Sequence, residues 1–423
     1  MRNILTFLVI ASLGIPSIKA QSLEEVEVDP KLAQALDVFS EEKGAEPVKV
    51  PKAIRQYFNQ LSKATRKKKE LDATRFLSAT GLFNATKEAG AFEGVAEDKV
   101  RAIEMALPTA INAMSAPLKM LAYDKFKVLR IEKLEAGQRI VYVRLYDNEL
   151  NVTTPMRWWL VKEEDIYRAY DFEDLSVGLR TTSIMTAALI ANMGDKVPEW
   201  FPAVMAVVVP MQTLDMGDPD SWVKLEKPIF ALAETELPDD FRNFASVMKV
   251  AVFQVKGEVQ GALEELAAAR QEGFDCPMWH YLKGSVLSAD ENYDEAIEEF
   301  ASHAKLFGWD SDVLEMVSDC YYELGDMEHA REAALRGLKD NPLSWACAAS
   351  LAASSNSMQI REEIPGIFKQ GRDEEVFYES ALDYLLDLEE NEKAKVLYSV
   401  FQKAVGESDL FEYYDEVFAD LEE

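Results

Sequence analysis

Histidine and cysteine are scarce, with three of each in 423 residues. The histidines, His280, His303 and His329, never stand at the i,i+4 spacing that lets one helix offer two ligands to a metal. Cys276, Cys320 and Cys347 are odd in number and widely spaced, so they form neither a disulfide framework nor a zinc pattern. They read as small side chains inside or beside helices. Walker loop, dinucleotide fingerprint, nucleophile elbow, zincin helix and CxxC motif are all missing. No catalytic residue, cofactor site or metal site is therefore expected. After the first 20 residues no apolar run reaches spanning length; the run from Val204 to Leu214 is interrupted by Pro210. The acidic turn DMGDPDSWVKLE has Asp215 and Glu226 at calcium-loop spacing. Gly217 and Pro219 stand where oxygen ligands are needed, so a helix-capping turn is expected there.

Basic residues are also short: 45 Lys and Arg against 75 Asp and Glu, a formal net charge of −30. The excess is uneven. Residues 21–240 hold 28 bases and 36 acids, whereas 241–423 hold 15 and 39. That balance argues against nucleic acid and anionic lipid as partners of the second half. One basic knot, KATRKKKE at 63–70, reads as a solvated helix face or a phosphate or headgroup contact.

The first residues, MRNILTFLVIASLGIPSIKA, combine a positive start, a short apolar run broken by Pro16, and a small residue at Ala20. They are expected to be a cleaved export signal for the periplasm or the extracellular space, followed by an acidic leader over 21–51. The sequons at Asn84 and Asn151 read as chance in a bacterial host.

The second half repeats. Ala262, Ala296 and Ala330 lie 34 residues apart, as do Gly257, Glu291 and Gly325. Phe253, Leu287 and Tyr321 precede those turn positions by four; Leu266, Phe300 and Ala334 follow the alanines by four. Each unit is two helices with a turn between them, in which glycine can take the left-handed backbone. Pro342 ends the second helix of its unit. The spacing and the small-residue pattern resemble the tetratricopeptide repeat family, over units 243–276, 277–310 and 311–344. The resemblance implies an all-α solenoid over 196–423, with degenerate units at 199–238 and 374–404, one more helix at 343–355, and an acidic final helix as a cap.

From 52 to 116, apolar residues recur at helical spacing and predict three helices. The period then falls to two in FKVLRIEKL, RIVYVRLYD, PMRWWLVK and IYRAYDFED, which predict four antiparallel strands. A helix is expected over 176–192. The fold class is thus α+β over 52–195, followed by helical repeats. The run RIVYVRLYD…MRWWLVKEEDIYRAYDFED is similar to the late strands of cystatin-like, nuclear-transport-factor-like α+β cone domains, although here the helices precede the strands. Of the adjacent Trp158 and Trp159, one should be core. The other should join a ladder with Arg144, Arg157, Tyr146 and Tyr170.

These observations point to an exported, non-enzymatic adaptor that binds a protein or peptide. The alternative is a cone that binds a small molecule or carries catalysis, with the repeats as an assembly handle. In tetratricopeptide arrays the first helix of each unit lines the concave groove. That register implies Phe244, Val247 and Gln254, then Met278, Tyr281, Ser285 and Ser288, then Asp312, Glu315, Asp319, Tyr322 and Glu323. An apolar segment followed by Lys or Arg would complement such a groove.

Overall fold

The structure is a computed structural model. It describes residues 48–421 apart from 68–70, 94, 113–117, 120, 148–151, 185–198, 212–218, 274–275 and 370–373. The expected export signal, nearly all of the leader and the turn at 215–218 lie outside the described residues. The chain packs as two compact units, whose described parts are 48–282 and 283–421.

The first unit opens with helices α1 (Lys52–Thr65), α2 (Ala79–Glu88) and α3 (Glu97–Asn112). Strands β1 (Lys125–Lys133), β2 (Arg139–Asp147), β3 (Val152–Glu163), β4 (Ile166–Asp174) and β5 (Leu179–Arg180) follow, in an antiparallel sheet of sequential order. The four strand-like runs of the sequence are β1 to β4. Part of the helix expected over 176–192 is strand instead: Leu179 and Arg180 pair with Asp174 and Glu173, and helix begins only at 181. Residues 185–192 lie outside the described set.

Alternation decides the two faces of the sheet. Val141, Val143, Leu145, Met156, Trp158, Leu160 and Phe172 join Ile54, Tyr57, Phe58 and Leu61 of α1 in one core. Trp158 is fully buried, stacked on Phe172 at 4.9 Å and meeting Phe58 edge-on at 5.8 Å. Burying each of these large side chains stabilises the fold by about 1.5–3 kcal/mol. A tight turn joins β3 to β4, with both central residues, Glu164 and Asp165, at positive φ (47° and 69°). That geometry matches the right-handed strand twist.

Helices α4 (Trp200–Met211), α5 (Pro219–Ala233), α6 (Asp239–Val255) and α7 (Val259–Gln271) belong to the same unit. Leu179 of β5 shares a core with Val204, Trp222, Leu225 and Phe244. Helix α8 (Trp279–Ala289) carries the division between the units, at 282/283.

The second unit continues with α9 (Tyr293–Phe307), α10 (Ser311–Glu323), α11 (Met327–Asp340), α12 (Trp345–Ser354), α13 (Ser357–Glu362), α14 (Ile364–Phe368), α15 (Glu374–Asp387), α16 (Asn391–Val405) and α17 (Leu410–Asp420). The helices expected at 343–355 and 374–404 are α12 and the pair α15–α16.

One turn, present also at Gly90 after α2, where the Ala91 amide donates to the Thr86 carbonyl at 3.2 Å, recurs at four places among the described residues from α6 to α16. Gly257, Glu291, Gly325 and Glu389 have φ of 69°, 59°, 76° and 58°. The amide after each donates to the carbonyl five residues back: Glu258 to Phe253 (2.8 Å), Asn292 to Leu287 (2.9 Å), Asp326 to Tyr321 (2.9 Å) and Glu390 to Leu385 (2.8 Å). This is the Schellman closure, which satisfies the last carbonyls of one helix while turning the chain into the next. Five residues after each turn stands Ala262, Ala296, Ala330 or Ala394, all fully buried. The α12–α13 junction is built differently, with a capping box of Asn356 and Gln359.

Two of the four left-handed positions carry glutamate, which strains the backbone by about 1–2 kcal/mol. Glu291→Gly should therefore stabilise the protein by roughly 1 kcal/mol, read as a raised Tm. Ala330→Leu has no free volume to enter and should cost about 1–3 kcal/mol in the same melts.

Candidate functional site

The strongest concentration of expected site residues lies on α10. Asp310 caps this helix by accepting from the Val313 amide at 2.9 Å. Val313, Leu314, Val317 and Cys320 point into the core. That orientation leaves Asp312, Glu315, Asp319 and Glu323 along another side, at helical offsets of three, seven and eleven from the first.

Asp319 is gripped by two later helices. Ser350 of α12 donates to it at 2.8 Å, and Tyr384 of α15 also hydrogen-bonds it. Asp319 and Glu315 hydrogen-bond each other, an arrangement of two carboxyl groups that requires a shared proton. Burial, then the negative charges of Asp319 and Asp312, push Glu315 up to about 8. Burial likewise raises Asp319. Among the described residues, neither they nor Glu323 has a Lys, Arg or His in ion-pair contact.

A second set lies beside it. Tyr322 donates to Glu390 at 2.8 Å, and Lys393 donates to Glu390 at 3.0 Å and to the Ala353 carbonyl at 2.7 Å. Burial alone would raise the Glu390 carboxyl, but the donors Tyr322 and Lys393 outweigh it and hold it low. Cys320 lies 3.5 Å from the Ser288 hydroxyl, and burial pushes its thiol up to about 11. A thiol so raised is a poor nucleophile at neutral pH.

Several expected positions are placed otherwise. Phe244, Val247 and Met278 are buried, the first two inside the core shared with β5, so their side chains pack rather than face a partner. Gln254, Tyr281, Ser285 and Ser288 are half-buried, as are Asp312, Glu315, Asp319 and Tyr322; Glu323 is exposed. The structure thus brings together Glu315 with Asp319, and Ser288 with the α10 residue Cys320. It adds Ser350, Tyr384, Glu390 and Lys393, which the repeat register did not reach.

The other concentration of charge is on the sheet face opposite the α1 core. Arg157 pairs with Glu173 at 2.6 Å, and Arg180 pairs with Asp171 at 2.7 Å. Their guanidinium groups lie 4.7 Å and 4.4 Å from the Trp159 ring centre. Asp171 also accepts from the Thr182 amide (2.9 Å) and hydroxyl (2.6 Å). Burial pushes Glu173 up to about 7 against the pull of Arg157. The ladder expected around Trp159 is present for Arg157. Tyr170, by contrast, sits at a bulge in the β3–β4 pairing and donates instead to Gln138 at 3.1 Å. Each carboxylate of this cluster is answered by a guanidinium within it.

Among the described residues no group of three or more His, Cys, Asp or Glu side chains is placed to hold a metal ion. Among them, too, no helix is long and apolar enough to cross a membrane. No model of a known protein family matches the chain, and no curated protein matches it.

The proton at Glu315 has a measurable consequence. Burial and the charges of Asp319 and Asp312 raise this carboxyl in the folded state from its ordinary 4.5 to about 8. Between those values the folded state holds more protons, so stability falls as pH rises. Wild-type Tm should decline between about pH 5 and 9, and Glu315→Gln should flatten that decline. An identical slope in both proteins would show that Glu315 ionises normally.

Proposed function

We propose that the chain is an exported adaptor whose second half is a tetratricopeptide-like array that binds a protein or peptide segment bearing Lys or Arg. The observation that carries this proposal is the file of carboxylates along α10, where Glu315, Asp319 and Glu323 have no cation in ion-pair contact among the described residues. An incoming ammonium or guanidinium group would supply that missing charge and displace the shared proton. The array itself is supported by the four Schellman turns, each followed by a buried alanine. Because Phe244, Val247 and Met278 are buried, the proposed partner contact is basic rather than apolar, with Tyr322 beside it. Export is supported by the sequence of residues 1–20.

The mutually paired charges around Trp159 favour a structural role for that sheet face over a small-molecule site. No residue of the proposed contact needs to touch reacting atoms, and the adaptor role requires none.

The test is selection of peptides from a random library by the purified full chain, followed by anisotropy titration of the selected sequences. Enrichment in Lys and Arg is expected, with affinity that falls as salt is raised. Affinity should fall further in the surface variant Glu323→Lys. Selected peptides without basic residues, or affinities indifferent to salt and to Glu323→Lys, would refute the assignment.

A further inference from the structure

Helix α1 carries the opposite charge. Its 14 residues include Lys52, Arg55 and Lys63 and no acid at all. Lys49 precedes it, and Arg66 and Lys67 follow. All six are exposed. Arg66 pairs with Asp124 at 2.8 Å; among the described residues Lys49, Lys52, Arg55, Lys63 and Lys67 have no ion pair. Cations without an ion pair occur elsewhere among the described residues, but here they gather in one segment, 49–67, that contains no acid.

Helix stability accounts for Lys63 in the last turn and for Arg66 and Lys67 beyond it, where the macrodipole favours cations, but not for Lys52 and Arg55. The first turn of a helix favours acids, by about 0.3–1 kcal/mol each, and this one holds Lys52 and Arg55 instead. No acid stands three or four residues away inside the helix to form a stabilising pair. The fold does fix their direction. Ile54, Tyr57, Phe58 and Leu61 are buried against the sheet, Tyr57 donates to the Phe76 carbonyl (3.2 Å), and Ser62 donates to the Tyr123 carbonyl (2.9 Å). At about 100° per residue, Lys52, Arg55 and Lys63 fall within an arc of roughly 80° on the far side, and Arg66 and Lys67 follow at the helix end. The result is a rigid basic stripe about 21 Å long.

We propose that this face of α1 docks an acidic polypeptide segment. Charge complementarity identifies the partner, and the uncharged side chains refine it: Gln56, Asn59 and Gln60, also exposed, lie between the cations and can hydrogen-bond a peptide backbone. No large apolar side chain of α1 is exposed, so the face has nothing to insert into a bilayer. The chain would then hold partners of opposite charge at two places, one on each compact unit.

The test uses the full chain and a fluorescein-labelled oligoglutamate peptide, followed by anisotropy at increasing salt. Phosphatidylglycerol vesicles and a DNA duplex serve as competing anions. Binding to oligoglutamate that weakens with salt is expected. The variant Lys52→Gln/Arg55→Gln/Lys63→Gln should lose roughly tenfold in affinity, with an unchanged circular dichroism spectrum. Glu323→Lys should leave this binding unaltered, which separates it from the contact proposed on α10. Absence of binding at low salt, equal affinity in the triple variant, or tighter binding to vesicles or duplex would overturn the proposal.

Discussion

A single left-handed residue at the end of a helix organises much of the chain. At Gly257, Glu291, Gly325 and Glu389 it bends the backbone so that the next amide closes onto the carbonyl five residues back. The following helix then returns beside the first, and an alanine five residues on lets the backbones approach. Everything on the first helix of such a pair inherits its orientation from that closure. Along α10 one side is committed to the core, and the carboxylates must occupy another. Asp319 consequently lies within reach of Ser350 and Tyr384 from two later helices.

The parts legible in the sequence are those set by period. Alternation in RIVYVRLYD located β2 and its two faces, and the 34-residue spacing located three of the four turns. The fourth was hidden because Glu389 follows Gly325 by 64 residues rather than 68, and because glutamate replaces glycine there. Glu291 carries the same replacement and could have served as the guide. Phe244, Val247 and Met278 were misplaced by following the repeat register instead of hydrophobicity; side chains of that size gain about 1.5–3 kcal/mol by burial. Asp171, Glu173 and Arg180 escaped notice because an antiparallel sheet commonly leaves its polar face to water. Here that face is buried, with Asp171 1% and Glu173 2% exposed.

Burial also changes the meaning of the chain's charge. A formal net charge of −30 counts every carboxylate as ionised. Burial pushes the carboxyls of Glu173 and Glu315 well above the usual carboxylate range, so their ionisation is opposed where that of an exposed acid is not. The negative field of the second half comes instead from exposed acids such as Glu323, while the inner pair on α10 stores a proton. Acid in this protein has two roles, charging the surface and, at Asp319, accepting hydrogen bonds that join α10 to α12 and α15.

The closed set around Trp159 constrains how this sequence could drift. Removing one member of a buried ion pair leaves its partner's charge uncompensated, at a cost of about 3–5 kcal/mol. Replacing the whole set with apolar residues of similar volume can be neutral. Arg157, Glu173, Asp171 and Arg180 are tied to one another through two ion pairs and one indole. Single substitutions at these four positions lead into a fitness valley, and viable descendants would change them jointly. Related chains should therefore fall into two groups at these sites, those keeping the full charged set and those with an entirely apolar one.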